Sequence, residues 1–287
     1  IPSIASVISQ RNNFNGTLFF RTSEKINEIS RFKNKYKRNQ VNKTRVENKI
    51  YSRNTIKPPI DSIVTPDYNV PIGRFTSGNN SSSGQFCTAS VINTDNGNIG
   101  LIAAHCLFDK DGKEYDLSSL SFSPDYDYGA TGPLGVIPVV ATAIPHTHLF
   151  DPNTDDYALV RFAFSDRYGG AETLQDHTGA LGWRFDIGNG EPTFVFGYPK
   201  GGDMVNCVRD AKHLCKWQGI TEKRENFYGV SNIDFGKGAS GGPFISQYDT
   251  ETKLGYAYAV YSSFLDRSKV SVGDIWNETI FNELLTR

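Results

Sequence analysis

The sequence predicts an all-β protein of antiparallel strands, arranged as a sandwich or as barrels. Short apolar runs recur from about residue 60 onward, and Gly, Pro, Asn and Asp separate them. Many short strands with turn residues between them are typical of such folds. The sequence has no strand–helix–strand rhythm of the kind that indicates a parallel sheet.

The clearest strand candidates are seven runs, at residues 87–92, 99–104, 135–144, 157–164, 193–198, 243–248 and 254–263. Two helices are also predicted. One lies within residues 22–35, and the other closes the chain at 275–285, where large apolar residues fall near one face. The domain beginning near residue 58 has room for two small barrels of about 100 residues each.

Charge divides the chain near residue 58. Residues 1–57 carry 13 Lys and Arg against 3 acidic residues, a net charge of +10, and residues 58–287 carry 17 against 28, a net charge of −11. The basic segment is poor in aliphatic residues, which predicts a solvated helix or a disordered arm. Residues 58–72 are rich in proline and are interpreted as a linker into the folded domain.

Cysteines and glycosylation sequons favour a secreted protein. The chain has four cysteines, and five Asn-X-Ser/Thr sequons begin at Asn15, Asn42, Asn79, Asn80 and Asn277. The first residue is Ile1 and the only methionine is Met204, so we expect that a signal peptide has been removed. No run of about 18 apolar residues predicts a membrane span. We therefore expect a secreted, monomeric glycoprotein without a membrane partner.

Nucleic-acid binding through the basic segment is an alternative function for this chain. The neighbouring domain is acidic, however, and the sequons and cysteines indicate secretion. We therefore expect no nucleic-acid partner.

Three segments carry residues suited to nucleophilic catalysis. LIAAHCLF at 101–108 places His105 at the end of an apolar run, DPNTDDYALVRF at 151–162 places Asp156 before another, and GKGASGGPF at 236–244 surrounds Ser240 with glycines. Each segment alone has a simpler explanation, such as a structural histidine or a Gly/Ser turn. Asp155 is the alternative candidate for the carboxylate of this group. Together the segments offer an imidazole, a carboxylate and a hydroxyl at strand edges.

In this order the segments closely resemble the histidine, aspartate and serine motifs of the trypsin/chymotrypsin family of serine peptidases. The matching pieces are AAHC at 103–106, DYAL at 156–159 and GASGGP at 238–243, within a resemblance that covers about residues 70–265. Within this family, the sequence pattern is most similar to that of secreted microbial trypsin-like and glutamyl-endopeptidase-like enzymes. The resemblance implies two six-stranded antiparallel β-barrels, at about 65–165 and 166–270, with a C-terminal helix and a partly helical N-terminal segment.

The resemblance also implies a serine endopeptidase that works through an acyl-enzyme. Ser240 is then the nucleophile, His105 the general base and Asp156 the carboxylate that orients the imidazole. The backbone N–H groups of Gly238 and Ser240 form the oxyanion hole. Protein or peptide substrates are the expected partners, and neither a cofactor nor a metal is expected. The alternative is a protease-fold protein that binds without cutting.

The resemblance pairs Cys87 with Cys106 and Cys207 with Cys215, one of three possible connectivities. A metal site of Cys207, His213 and Cys215 is the alternative for the second pair. His146 and His148 are a further pair of possible ligands, which we interpret as loop histidines.

Three residues bear on substrate preference. The resemblance implies that Asp234, six residues before Ser240, forms the floor of the S1 pocket, where a carboxylate favours Arg or Lys; the alternative is a surface turn residue. Ser262 and Ser263 are expected to line the substrate-binding strand. A glutamate-cleaving pocket usually relies on a histidine near this strand, and residues 257–264 contain none.

Ala239 departs from animal trypsins, which have an aspartate before the nucleophile. An alanine cannot form the ion pair with a freed N-terminus that activates those enzymes, so other contacts must hold the oxyanion loop. We interpret residues 1–57 as a prosegment whose positive charge complements the acidic domain, with Lys37-Arg38 as a processing site.

Overall fold

A computed structural model describes residues 58–65, 69–78, 85–166, 169–205 and 207–286, together with the backbone of residues 19–22. The first half contains the strands β1 (Phe19–Thr22), β2 (Ile72–Ser77), β3 (Gln85–Val91), β4 (Ile99–Ile102), β5 (Leu120–Pro124), β6 (Ile137–Ile144) and β7 (Ala158–Phe162). The second half contains β8 (Gly182–Trp183), β9 (Glu191–Gly197), β10 (Cys215–Lys223), β11 (Phe227–Ser231), β12 (Pro243–Asp249), β13 (Leu254–Val260), β14 (Ser263–Leu265) and β15 (Val270–Asp274).

Strands β2 to β7 form a closed antiparallel barrel. The strand order is β6-β5-β2-β3-β4-β7, and β6 pairs with β7 to close it. Strand β1 adds to β6, with Phe19 opposite Ile144. Buried side chains fill the barrel, among them Phe122 and Phe162, whose rings stack 4.5 Å apart. The first predicted barrel is confirmed.

The second sheet has eight strands in the order β14-β15-β11-β10-β9-β12-β13-β8, all antiparallel except the short β8–β13 pair. The N–H of Ser262, just after β13, donates to the carbonyl oxygen of Val272 in β15 at 2.9 Å, so the two ends of the sheet approach each other. A separate core of aromatic and apolar residues lies inside this sheet. This arrangement bears out the predicted two-barrel architecture.

In the part of the chain that the structure describes, three short α-helices connect or close the sheets: α1 (His146–Phe150), α2 (Leu174–Thr178) and α3 (Glu278–Leu285). Helix α3 confirms the predicted C-terminal helix. It begins at residue 278 because Asn277 is its N-cap and the Asn277 side chain accepts the Ile280 N–H. Phe281 packs between Trp183 and Trp276, which fixes the helix against the barrels.

All seven predicted strands are present, with ends that shift by at most three residues. The predicted linker at 58–72 is packed against the domain instead, because Ile60 and Ile63 pair with Trp183 and Ala180 and its last residue begins β2. Beyond residue 22, which ends β1, the predicted helix at 22–35 lies outside the described residues. None of the helices in the described part of the chain has the length and apolar character needed to cross a bilayer.

Candidate active site

His105 lies in a 3₁₀ turn, Ala104–Leu107, that directly follows β4. Its neighbour Cys106 forms a disulfide with Cys87 of β3, and the Cys106 carbonyl oxygen accepts the hydroxyl of Ser77 at 2.8 Å. The turn is therefore tied to two barrel strands. The imidazole itself keeps 32% of its surface exposed, so one edge of the ring remains accessible.

Asp156 is buried just before β7 and faces His105. One carboxylate oxygen accepts the backbone N–H of His105 at 2.8 Å, and the other lies 2.7 Å from His105 Nδ1. The Ser262 hydroxyl donates to this second oxygen at 2.6 Å. With Nδ1–H held by a carboxylate, His105 keeps Nε2 free to accept a proton.

The two partners shift each other's pKa. Burial alone lowers the pKa of His105, but the charge of Asp156 and the hydrogen bond to it outweigh burial, so the pKa lies above its ordinary value. Burial opposes ionisation of Asp156, yet the charge of His105 and the hydrogen bonds from His105 and Ser262 lower its pKa to about 2. At neutral pH the carboxylate is therefore ionised beside a basic imidazole.

Ser240 lies in the loop before β12, half-exposed. Cys106 Sγ lies 3.8 Å from His105 Nε2 and 3.9 Å from the Ser240 carbonyl oxygen, so the serine loop and the imidazole lie close to the same disulfide. In the described residues no hydrogen bond joins Ser240 Oγ to His105. Nucleophile–base hydrogen bonds are often long without substrate.

Glycines at two positions of the loop allow backbone angles that other residues rarely adopt. Gly238 has φ +92° and Gly241 has φ +83°. A Cβ atom at Gly238 would lie 2.5 Å from the carbonyl oxygen of Tyr198, so this position has neither the conformation nor the space for a side chain. Within the described part of the chain, the N–H groups of Gly238 and Ser240 donate to no acceptor.

Thr88 of β3 anchors the loop, and the sequence analysis missed it. Its hydroxyl donates to the Gly238 carbonyl oxygen at 2.9 Å and accepts the Tyr198 N–H at 3.0 Å. Its own N–H donates to the Ser240 carbonyl oxygen at 2.8 Å. A threonine in an apolar strand gives no sequence signal of this role, because its partners are over 100 residues away.

Ala239 is fully buried between Gly238 and Ser240. A Cβ atom on Gly197 would lie 2.8 Å from the Ala239 Cβ, and the Ala239 N–H donates to the Gly236 carbonyl oxygen at 3.2 Å. Close packing and backbone hydrogen bonds hold the loop here. An aspartate would have to bury its charge against Gly197, which explains the alanine.

Asp234 lies half-buried beneath this loop. One of its carboxylate oxygens accepts the Gly236 N–H at 2.8 Å and the Tyr261 hydroxyl at 3.2 Å. Tyr261 is buried and its ring packs edge-on against Phe235. Two of the lone pairs that a basic substrate side chain would use are thus already engaged by donors of the protein.

The predicted substrate-binding serines have different environments. Ser262 is bonded to Asp156 and so lies with His105, whereas Ser263 is exposed in β14 and pairs with Val272. Asp155, the alternative carboxylate, accepts the Thr147 hydroxyl and has no bond to His105 among the described residues. The structure therefore brings Asp156, and not Asp155, to the imidazole.

Metal binding at the predicted alternatives has little support. The disulfide Cys207–Cys215 leaves no thiolate at either sulfur. His213 bonds to Asp210 at 2.9 Å, His148 bonds to the Thr154 carbonyl oxygen and His146 packs on Phe150. In the described part of the chain, one group free of disulfide sulfur has ligand atoms within 4.8 Å of one another: Asp166, Glu172 and His177.

A further position missed by the sequence analysis is Asp274, the last residue of β15. Its carboxylate accepts the backbone N–H of Asp156 at 2.7 Å. An acidic residue at the end of a strand gives no sign in the sequence of which backbone group it will meet.

Solved structures of known proteins share this architecture. A thermostable serine protease, AL20, from an extremophilic microorganism aligns with a TM-score of 0.62 and 20% identity over 76% of this chain and 98% of that one. Protease Anisep from Arthrobacter nicotinovorans aligns with a TM-score of 0.61 and 22% identity over 79% and 99%. A Glu endopeptidase aligns with a TM-score of 0.55 and 15% identity over 81% and 97%.

Comparison at the level of sequence found no matching family model and no matching curated protein. Because the structural neighbours are at most 22% identical, the likeness to them is one of fold.

Proposed function

The chain has the fold of the trypsin/chymotrypsin-like peptidases, and we propose that it is a serine endopeptidase whose catalytic residues are His105, Asp156 and Ser240. One observation carries the proposal. Asp156 holds His105 by two hydrogen bonds, at the backbone N–H and at Nδ1, which leaves Nε2 without a bond to the carboxylate. This is the orientation that a general base requires.

The reaction follows from these positions. Ser240 Oγ attacks the carbonyl carbon of the peptide bond while His105 Nε2 takes the hydroxyl proton, and the C–N bond then breaks as the imidazolium returns that proton to the leaving amine. A water molecule, deprotonated by the same imidazole, hydrolyses the acyl-enzyme and releases Ser240. The Asp156 charge stabilises the imidazolium in both steps.

The free N–H groups of Gly238 and Ser240 suit an oxyanion hole. The tetrahedral intermediate places negative charge on the former carbonyl oxygen, and two preorganised donors lower its energy by several kcal/mol. The Lys237 and Ala239 carbonyl oxygens share peptide planes with these two N–H groups and accept the N–H groups of Lys200 and Gly242 at 2.6 and 2.8 Å, so both donors have a defined direction. Thr88 holds the carbonyl oxygens of Gly238 and Ser240 in the same loop. Proton transfer and charge stabilisation are thus supplied by the chain itself, without a cofactor.

The proposed substrates are proteins or peptides, and the expected preference at P1 is for Arg or Lys if Asp234 faces the S1 pocket. The donors Gly236 and Tyr261 on Asp234 leave part of its carboxylate for a substrate cation. Secretion fits the two disulfides, which persist in oxidising compartments. Glycosylation, a monomeric state and activation from a zymogen belong to the same proposal.

The test is cleavage of a peptide library varied at P1, read by mass spectrometry, for the wild type and the Ser240→Ala variant. We expect cleavage by the wild type and a loss of at least roughly 1,000-fold in the variant, because the nucleophile is gone. Cuts after Arg or Lys would place Asp234 in the pocket, and cuts after Glu or large apolar residues would exclude it.

A serine-directed phosphonate provides the second readout. Covalent labelling at Ser240 in the wild type, absent in Ser240→Ala, shows an activated nucleophile without a substrate of known sequence. If neither form cleaves or reacts, even after removal of residues 1–57, the peptidase proposal is wrong and a protein that binds without cutting replaces it.

A further inference from the structure

We propose that Asp274 is a positioning residue for the catalytic carboxylate, holding the backbone of Asp156 so that its side chain meets His105. This inference rests on the proposed function. Asp274 ends β15 in the second sheet, and its Oδ2 accepts the Asp156 N–H at 2.7 Å. The bond therefore joins the second sheet to the start of β7 in the first barrel.

The local backbone at Asp156 needs such a support. Asp155 adopts the left-handed region, with φ +48°, and the Tyr157 N–H donates to the Asp155 carbonyl oxygen at 2.7 Å. Asp156 thus forms the apex of a tight turn at the mouth of the barrel. A small rotation of this turn would swing the carboxylate away from the imidazole.

Hydrogen bonds hold Asp156 on both sides. Its carboxylate meets His105 and the Ser262 hydroxyl, and its N–H meets Asp274. Ser262 and Asp274 come from the same part of the second sheet, because the Ser262 N–H donates to Val272, two residues before Asp274. The second sheet therefore contacts the side chain of Asp156 through Ser262, next to β13, and its backbone through Asp274, at the end of β15.

Asp274 is a half-buried carboxylate whose charged neighbours are also carboxylates. Asp155 and Asp156, just before β7, act on it with their negative charges, and no cation is among the groups that shift its pKa. The neighbouring Tyr157 hydroxyl accepts the Asn277 N–H, and His105 lies beyond Asp156. Burial and the charges of Asp156 and Asp155 raise the pKa of Asp274 to about 6, against the hydrogen bond from the Asp156 N–H.

This placement links Asp274 to the titration of His105. We expect ionised Asp274 to add negative charge behind Asp156 and so to stabilise the imidazolium further. Removing the charge while keeping an acceptor, as in Asp274→Asn, lowers the His105 pKa. The active, neutral imidazole then forms at lower pH. Removing the acceptor as well, as in Asp274→Ala, frees the turn at Asp156.

The experiment compares the full chain with Asp274→Asn, Asp274→Ala and the control Asp95→Asn, which removes one charge from an exposed turn between β3 and β4. Two quantities are measured: kcat and KM on a cleaved peptide from pH 5 to 9, and the titration of His105 by NMR in the Ser240→Ala background. Thermal unfolding of each variant gives the folded fraction.

We expect Asp274→Asn to keep the high-pH kcat within about threefold and to move the acid limb and the His105 midpoint down by about half a pH unit. We expect Asp274→Ala to lower kcat by roughly 10- to 100-fold with a small change in KM, because the orientation of the base is lost. The control should match the wild type in both measurements.

Unchanged His105 titration in Asp274→Asn together with an unchanged kcat in Asp274→Ala would overturn the inference. So would losses of activity that only follow the folded fraction. If the wild type neither cleaves peptides nor labels with phosphonate, even after removal of residues 1–57, the proposed function fails, and the NMR titrations still decide whether Asp274 positions Asp156.

Discussion

Asp156 is the residue on which the hydrogen bonds of the candidate active site converge. Three donors meet its carboxylate, two from His105 and one from Ser262, and its N–H meets a fourth group on Asp274. A buried carboxylate is stable only when donors replace the water it has lost. Here the same donors also set its function, because they leave the imidazole in one orientation.

At the residue scale, the pKa shifts of His105 and Asp156 predict opposite pH dependences for stability and activity. His105 has a raised pKa, so its stabilising contribution is complete below about pH 6.5 and is lost as pH rises through the folded-state pKa. Asp156 has a lowered pKa, so its contribution is present above about pH 4 and is lost as pH falls towards 2. Activity needs the neutral imidazole and therefore appears above pH 6.5.

We expect kcat/KM to rise with pH through a single ionisation, that of His105, above pH 6.5. We expect the Asp156→Asn variant to lower kcat by roughly 10,000-fold, because an amide favours the wrong tautomer of the His105 imidazole. A pH–rate profile with NMR detection of the His105 ring protons checks both. An acid limb below pH 6, or a mild effect of Asp156→Asn, would contradict the proposed role of the pair.

At the scale of elements, β3 connects the two halves of the site. Cys87 of this strand anchors the histidine turn through its disulfide, and Thr88 anchors the serine loop. Adjacent residues of a strand point to opposite faces, so one strand reaches both catalytic segments. The serine loop therefore gains its shape from the first barrel as well as from its own glycines.

The Thr88→Val variant tests this link, because valine keeps the shape and removes the hydroxyl. We expect unfolding free energy to fall by about 1–3 kcal/mol, since the Gly238 carbonyl and the Tyr198 N–H both lose a buried partner. We also expect kcat to fall by roughly 10-fold with little change in KM, because the oxyanion N–H groups lose their direction.

The matched control is Thr76→Val on the neighbouring strand β2. Its half-exposed side chain makes no hydrogen bond among the described residues, so a change within about 0.5 kcal/mol is expected. Denaturant unfolding and steady-state kinetics measure both variants. Normal kcat in Thr88→Val, with stability lost, would show that Thr88 supports the fold without directing the oxyanion hole.

At the scale of the whole molecule, charge separates an N-terminal segment of +10 from a domain of −11. Strand β1 of this segment pairs with β6, so part of it is docked on the first barrel. Opposite net charges favour such docking at low salt and are screened at high salt. Both observations support the proposal that residues 1–57 are a removable prosegment.

We expect limited cleavage of the full chain within the basic segment to increase kcat/KM, and the released fragment to inhibit more strongly at about 50 mM than at about 500 mM salt. N-terminal sequencing of the cleaved enzyme identifies the site, with Lys37-Arg38 as the expected position. The Ser240→Ala chain cut by the same added protease controls for that protease. Equal activity before and after cleavage would exclude a prosegment role.

The sequence by itself determined the strand-rich class, the C-terminal helix and the three segments that hold His105, Asp156 and Ser240. These signals are local, since turn residues, apolar runs and glycines around one serine depend on neighbours in the chain. Strands β10 and β15 were not predicted because Lys, Gln, Glu, Ser or Gly interrupt them and neither has a continuous apolar run, and their stability comes from pairing partners far away in the sequence.

The family motif already favoured Asp156 over Asp155, but only the tertiary structure decided what holds the serine loop and what lies behind Asp156. Asp155 and Asp156 differ by one position in sequence, but the turn at φ +48° directs only Asp156 to His105. Thr88 and Asp274 reach the site across more than 100 residues of chain. Hydrogen bonds of this range depend on how two sheets are placed together, and no local pattern encodes that placement.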